Sequence, residues 1–139
     1  AEQGPPPGRD IAVFNDVNLF DDFAMADPDN QRFVRNLVAF SGTGPRSAGT
    51  QVWFDVGRPN ACFGNCTVPL MRSTIVAAGL TVSDVNSNAG AFTAIPSTVK
   101  AIFLWLPTLA YTTAEVNALK QFASEGGRVV FVGEHEGYY

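Results

Sequence analysis

Five short apolar runs, separated by stretches with helical periodicity, organise this chain. The first, Ile11 to Phe14 (IAVF), is continuously apolar, as expected for a strand covered on both faces. After a long loop, Asp27-Pro28 supplies a helix N-cap with proline in the first helical position. Phe33, Val34, Leu37, Val38 and Phe40 then trace one helical face, and Gly42 marks its end. Gln51 to Val56 (QVWFDV) reads as the second strand. A helix begins at about Pro69, with Met71, Ile75 and Ala78 on one side, and closes at Gly79. Leu80 to Val85 alternates apolar and polar residues, so the third strand is expected at a sheet edge. Asn86 to Thr98 lacks periodicity and is expected to cross the sheet with one short helical turn. Val99 to Leu106 contains the most apolar run (AIFLWL) and is expected to be central. Thr112-Thr113-Ala114-Glu115 matches a capping box. Val116, Leu119, Phe122 and Ala123 follow as a buried face, and Gly126-Gly127 ends that helix before the last strand, Arg128 to Val132 (RVVFV).

Apolar strands alternating with helices imply a three-layer, doubly wound α/β domain with a mostly parallel five-stranded sheet. The expected strand order is 3-2-1-4-5, with the first and fourth strands flanking the switch point. Residues 11–139 form one domain, preceded by a Pro/Gly-rich tether over residues 1–10 (AEQGPPPGRD). That beginning, without Met, reads as a mature protein after signal-peptide removal and places the chain outside the cytoplasm, periplasmic or secreted; an excised fragment is the alternative.

Charge narrows the partners. A net charge of −4 with nine scattered Lys and Arg residues argues against nucleic acid, which demands clustered basic side chains. No apolar run approaches the roughly 18 residues of a membrane helix. Cys62 and Cys66 lie in RPNACFGNCT and are expected to close a small disulfide loop, with free thiols or a shared metal site as alternatives. With one histidine and no second cysteine pair, neither a metal nor a cofactor is expected.

Ligands of such sheets sit beyond the carboxyl ends of the strands. The candidate binding residues there are Asn15, Asp16, Phe20, Phe23, Asp55, Arg58, Glu134 and His135. Asp16 lies beside the expected switch point. His135 between Glu134 and Glu136 has the chemistry of a general base or metal ligand. Phe20 and Phe23 are loop aromatics suited to docking on a partner or on the domain itself. The acidic loop of Asp16, Asp21, Asp22, Asp27 and Asp29 has oxygens for calcium, but not at EF-hand spacing. Ser41-Gly42-Thr43-Gly44-Pro45-Arg46 follows a helix and precedes a strand, the wrong edge for a phosphate cradle, so it reads as a cap and turn. No Gly-x-Ser-x-Gly or Gly-x-Cys-x-Gly nucleophile elbow occurs.

The segment Tyr111 to Glu134, YTTAEVNALKQFASEGGRVVFVGE, resembles the class I glutamine amidotransferase-like superfamily, especially its non-catalytic extracytoplasmic domains. The strand containing Asn15-Asp16 at its end and the strand from Ala101 to Pro107 are compatible with that pattern. The resemblance implies a flavodoxin-like or amidotransferase-like sheet. It also implies that Glu134 occupies the turn where the enzymes of the group keep a catalytic cysteine, and that the closing elements of a full-length member are missing beyond Tyr139. The expected function is therefore a non-catalytic binding or accessory domain, a peripheral subunit of a larger protein assembly such as a bacterial membrane complex. A hydrolase or carbohydrate-active domain using Asp16, Asp55, Glu134 and His135, and a small-ligand or metal-binding module, are the competing classes.

Overall fold

The computed structural model describes residues 11–39, 44–59 and 67–134. Five strands, β1 (Ile11–Phe14), β2 (Gln51–Asp55), β3 (Thr81–Val85), β4 (Val99–Trp105) and β5 (Arg128–Val132), alternate with three helices, α1 (Pro28–Ala39), α2 (Pro69–Ala77) and α3 (Thr113–Ser124). All strand pairs are parallel. The expected class, a parallel five-stranded α/β sheet flanked by helices, is the one observed. The helices begin where local chemistry directs them. The Asp27 carboxylate accepts the Asp29 N–H at 2.8 Å ahead of α1. The Thr112 hydroxyl accepts the Glu115 N–H, while the Glu115 carboxylate accepts the Thr112 N–H at 2.7 Å. At the other end of α3, the Gly126 N–H bonds to Ala123 O and the Gly127 N–H to Phe122 O. This double return is a Schellman motif, and it places Gly126 at φ +89°, where only glycine is unstrained.

The strand order corrects the expected one: it runs β1-β5-β4-β2-β3, so β1 is an edge strand beside β5 and not a central one. The connection over residues 15–50 spans three strand spacings, about 14 Å, which leaves room for β4 and β5 to insert between β1 and β2. The longest and most apolar strand, β4, is central, and β3 is the other edge, both as expected.

Two cores result. On one face, Val34, Leu37 and Val38 of α1 and Met71 and Ile75 of α2 pack on Val52, Phe54, Phe103, Trp105 and Val130. On the opposite face α3 contributes Leu119, Phe122 and Ala123 against Ile102, Leu104 and Val129. The helices after β2 and β4 therefore lie on opposite faces, and the switch point falls between these two strands. Three helices cannot cover both faces of five strands. Ile11 and Val13 of β1 are consequently 51% and 60% exposed, which corrects the expectation of a strand covered on both sides. The aperiodic crossing segment contains two short 3₁₀ turns, Ser87–Ala89 and Ala91–Thr93, rather than one.

Candidate functional site

β2 delivers Asp55 and, three residues later, Arg58 to the switch point; both are buried, at 0% and 4% exposure. The loop after β3 brings Ser87, and the loop after β4 brings Tyr111 and then Glu115 in the first turn of α3. These side chains close on one another. Asp55 accepts hydrogen bonds from the Ser87 N–H at 2.9 Å, the Ser87 hydroxyl at 2.7 Å and the Tyr111 hydroxyl at 2.7 Å. Arg58 donates from Nε to Ser87 Oγ at 2.9 Å, from Nη1 to Ala110 O at 2.7 Å and from Nη2 to Glu115 Oε1. Its guanidinium lies 4.6 Å from the centroid of the Tyr111 ring, which also stacks with Phe92.

The electrostatics follow from this wiring. Burial and the hydrogen bond to Asp55 push the Tyr111 hydroxyl far above the ordinary tyrosine value, so it is a permanent donor. Burial disfavours the charged form of Glu115, but hydrogen bonds from the Thr112 N–H and hydroxyl and from Arg58 outweigh it and hold the carboxyl below its usual value. Glu125, bonded by Gln121 and Arg46, is lowered as well. A depressed folded-state value gives stability that is complete above the unfolded glutamate value of about 4.3 and disappears as pH falls through the folded value. Urea midpoints are thus expected to drop as pH is lowered below about 4.3, with a shallower drop in Glu115→Gln. An identical pH profile for that variant would remove the Arg58–Glu115 pair as a source of the acid sensitivity.

A second feature lies beside this network. A hollow of about 470 Å³ opens at the carboxyl ends of β1, β4 and β5, lined by Asn15, Pro107, Thr108, Phe131, Gly133 and Glu134. Its backbone rim is tied by the Gly133 N–H to Phe14 O at 2.7 Å and the Leu106 N–H to Val132 O at 2.8 Å. Leu106 has φ +42°, strain that an L-residue rarely carries, at the point where β4 turns into Pro107 and Thr108.

The structure separates the sequence candidates. Asn15 and Glu134 meet in the hollow. Asp55 and Arg58 belong to the buried network, so they are not open to a ligand. Asp16 does not flank the switch point: it lies beyond the edge strand and accepts the Asn18 N–H at 2.9 Å. Phe20 is fully buried, edge-on to Phe14 at 5.3 Å and tilted against Trp105 at 5.9 Å, so it docks on the domain and not on a partner. Phe23, by contrast, is 93% exposed. His135, Cys62 and Cys66 lie outside the described residues. The acidic loop is spent inside the domain: Asp21 accepts the Ala24 N–H, Asp27 the Asp29 N–H, Asp29 pairs with Arg32, and Asp22 accepts the Leu70 N–H at the start of α2. Among the described residues no group of three or more carboxylate, histidine or cysteine side chains is placed to hold a metal. At the amino edge, Gly44 opens a 3₁₀ turn, and Arg46 bonds to Glu125, Pro96 O and Ile95 O, an internal clasp.

The sequence does not single out Ser87, Tyr111 or the second task of Glu115. Ser87 sits in a segment with no pattern at all. Glu115 was legible as a capping-box residue, but a carboxylate has two oxygens, and the one turned toward Arg58 depends on a residue far away in the chain.

Fold and site define a three-layer α/β domain whose switch-point crevice is closed by its own side chains. No protein-family model matches the chain, and no curated protein or solved structure matches it at a significant level. Among the described residues, no helix is long and apolar enough to cross a membrane.

Proposed function

We propose that the chain is a non-catalytic binding or accessory domain that works outside the cytoplasm as a peripheral subunit of a larger protein assembly. The observation that carries this reading is the way polar chemistry is distributed at the carboxyl edge. Asp55, Ser87, Arg58, Tyr111 and Glu115, the reactive side chains at the switch point, are bonded to one another. The open hollow beside them presents Phe131 and Pro107 with Asn15, Thr108 and Glu134, a surface suited to holding something. The sequence resemblance of residues 111–134 to non-catalytic amidotransferase-like domains would put Glu134, at the turn after β5, where the enzymes of that group keep a cysteine. A small-ligand module is the second reading, favoured by the same hollow, whose volume is within the roughly 300–1,000 Å³ of small-molecule sites.

Native mass spectrometry of the protein purified from its source separates the two. A second polypeptide in fixed stoichiometry, lost in Asn15→Arg, is the expected result. A bound mass of small-molecule size, lost in the same variant, selects the second reading. The bare chain alone overturns both.

A further inference from the structure

The hollow at the ends of β1, β4 and β5 has a one-sided hydrogen-bonding inventory. Several of its donors already have acceptors inside the domain. The Gly133 N–H goes to Phe14 O at 2.7 Å, and the Thr108 N–H to Arg58 O at 3.1 Å. The Thr108 hydroxyl donates to Arg58 O at 3.3 Å and to Pro59 O, so its proton is spent and its lone pairs remain. Pro107 has no N–H. Asn15 brings a carboxamide, the one neutral side-chain donor left to the hollow, and Glu134 brings a carboxylate. Phe131 adds an aromatic ring, whose quadrupole is negative on its face. Among the described residues no Lys, Arg or His lines the hollow, and the Arg58 guanidinium is committed to Ser87, Ala110 and Glu115. Gly133 keeps space beside the ring: a Cβ there would stand 3.1 Å from a ring carbon of Phe131.

We infer that the hollow takes an organic cation, an ammonium or guanidinium group on an apolar stem, with the charge at Glu134 and the stem against Phe131 and Pro107. This rests on the hollow being the binding site and names the chemistry of what enters it. Charge complementarity selects the cation. An anion of the same size would meet the Glu134 carboxylate with only the Asn15 amide among the side chains to bond it. A cation finds the carboxylate, the Asn15 and Thr108 oxygens and an aromatic ring, each of which attracts it. Glu134 has a contact within the protein, but a carboxylate offers about four lone-pair sites and can accept from a ligand as well. A bare metal ion fits poorly. The hollow of about 470 Å³ is of small-molecule size, and among the described residues no group of three metal-ligating side chains is assembled. The same cationic group can arrive on a free small molecule or as an Arg or Lys side chain of the partner protein.

Titrations of the isotope-labelled chain, followed through its amide NMR signals, test this with three probes. Benzylammonium stands for a free small molecule, the capped peptide acetyl-Gly-Arg-Gly-amide for a partner's side chain, and phenylacetate is the anion of matching shape. The cations are expected to move the Thr108 and Gly133 signals with millimolar dissociation constants, and phenylacetate to leave them in place. Glu134→Gln is expected to weaken both cations about tenfold, the loss of one charge-assisted hydrogen bond. Asn15→Asp, of the same shape but one more negative charge, is expected to tighten them. Tighter binding of benzylammonium assigns the site to a small molecule, and tighter binding of the peptide assigns it to a partner's side chain. Phenylacetate binding as well as the cations overturns the inference. So does cation binding indifferent to both substitutions, or no binding of either cation. Such a failure leaves the accessory-subunit reading standing wherever a second polypeptide is still lost in Asn15→Arg. The bare chain in native mass spectrometry removes that reading itself, whatever the probes do.

Discussion

Replacing Arg58 with methionine is expected to lower the unfolding free energy by about 3–5 kcal/mol, the range for breaking a buried ion pair by removing one partner. Methionine keeps an apolar stem, so the loss isolates the guanidinium, its contact with the Tyr111 ring at 4.6 Å included. Without it Ser87 Oγ, Ala110 O and Glu115 Oε1 each lose a donor in a region that water does not reach freely. The loops after β2, β3 and β4 are joined through Arg58 and Asp55, so losing half of that link is expected to raise local opening of all three together in hydrogen exchange. Urea unfolding measures the first effect. A double-mutant cycle with Glu115→Gln apportions it, and a coupling near zero would show that the pair contributes nothing beyond its separate contacts.

Phe20→Ala and Phe23→Ala are expected to differ by nearly the whole value of a buried ring. Phe20 fills a fully enclosed position between Phe14 and Trp105. Its truncation should therefore cost about 3–5 kcal/mol in transfer and cavity terms. Phe23, exposed on the same loop, should change stability by less than about 0.5 kcal/mol. Equal effects in thermal or urea unfolding would mean that the loop does not pack as described. Two aromatics three residues apart look equivalent in sequence. The short 3₁₀ turn over Val17–Phe20, opened by Asp16, is what turns one inward.

That contrast also marks how much of the site was legible. Which loops meet at the carboxyl edge follows from strands alternating with helices, and Asn15 and Glu134 lie on that edge. Which residues in those loops remain open to a ligand was not legible. Asp55 and Arg58 look like surface chemistry in sequence, and their burial depends on Ser87, Tyr111 and Glu115 arriving from other segments.

The sequence by itself determined the elements of this protein. Capping chemistry at Asp27 and Thr112, the Gly126-Gly127 stop and the period of the apolar residues act over one or two turns, and they sufficed to locate five strands and three helices. They also determined that the longest apolar strand would be central, because burial on both faces demands it. Only the tertiary structure decided the strand order, the switch point between β2 and β4, and the exposure of β1. A four-residue apolar strand carries no record of its neighbour. Backbone hydrogen bonding is the same for every partner, and the choice rests on how α1, α2 and α3 divide between the two faces. The division leaves β1 at an edge with Ile11 and Val13 uncovered, and it closes the crevice around Asp55 and Arg58.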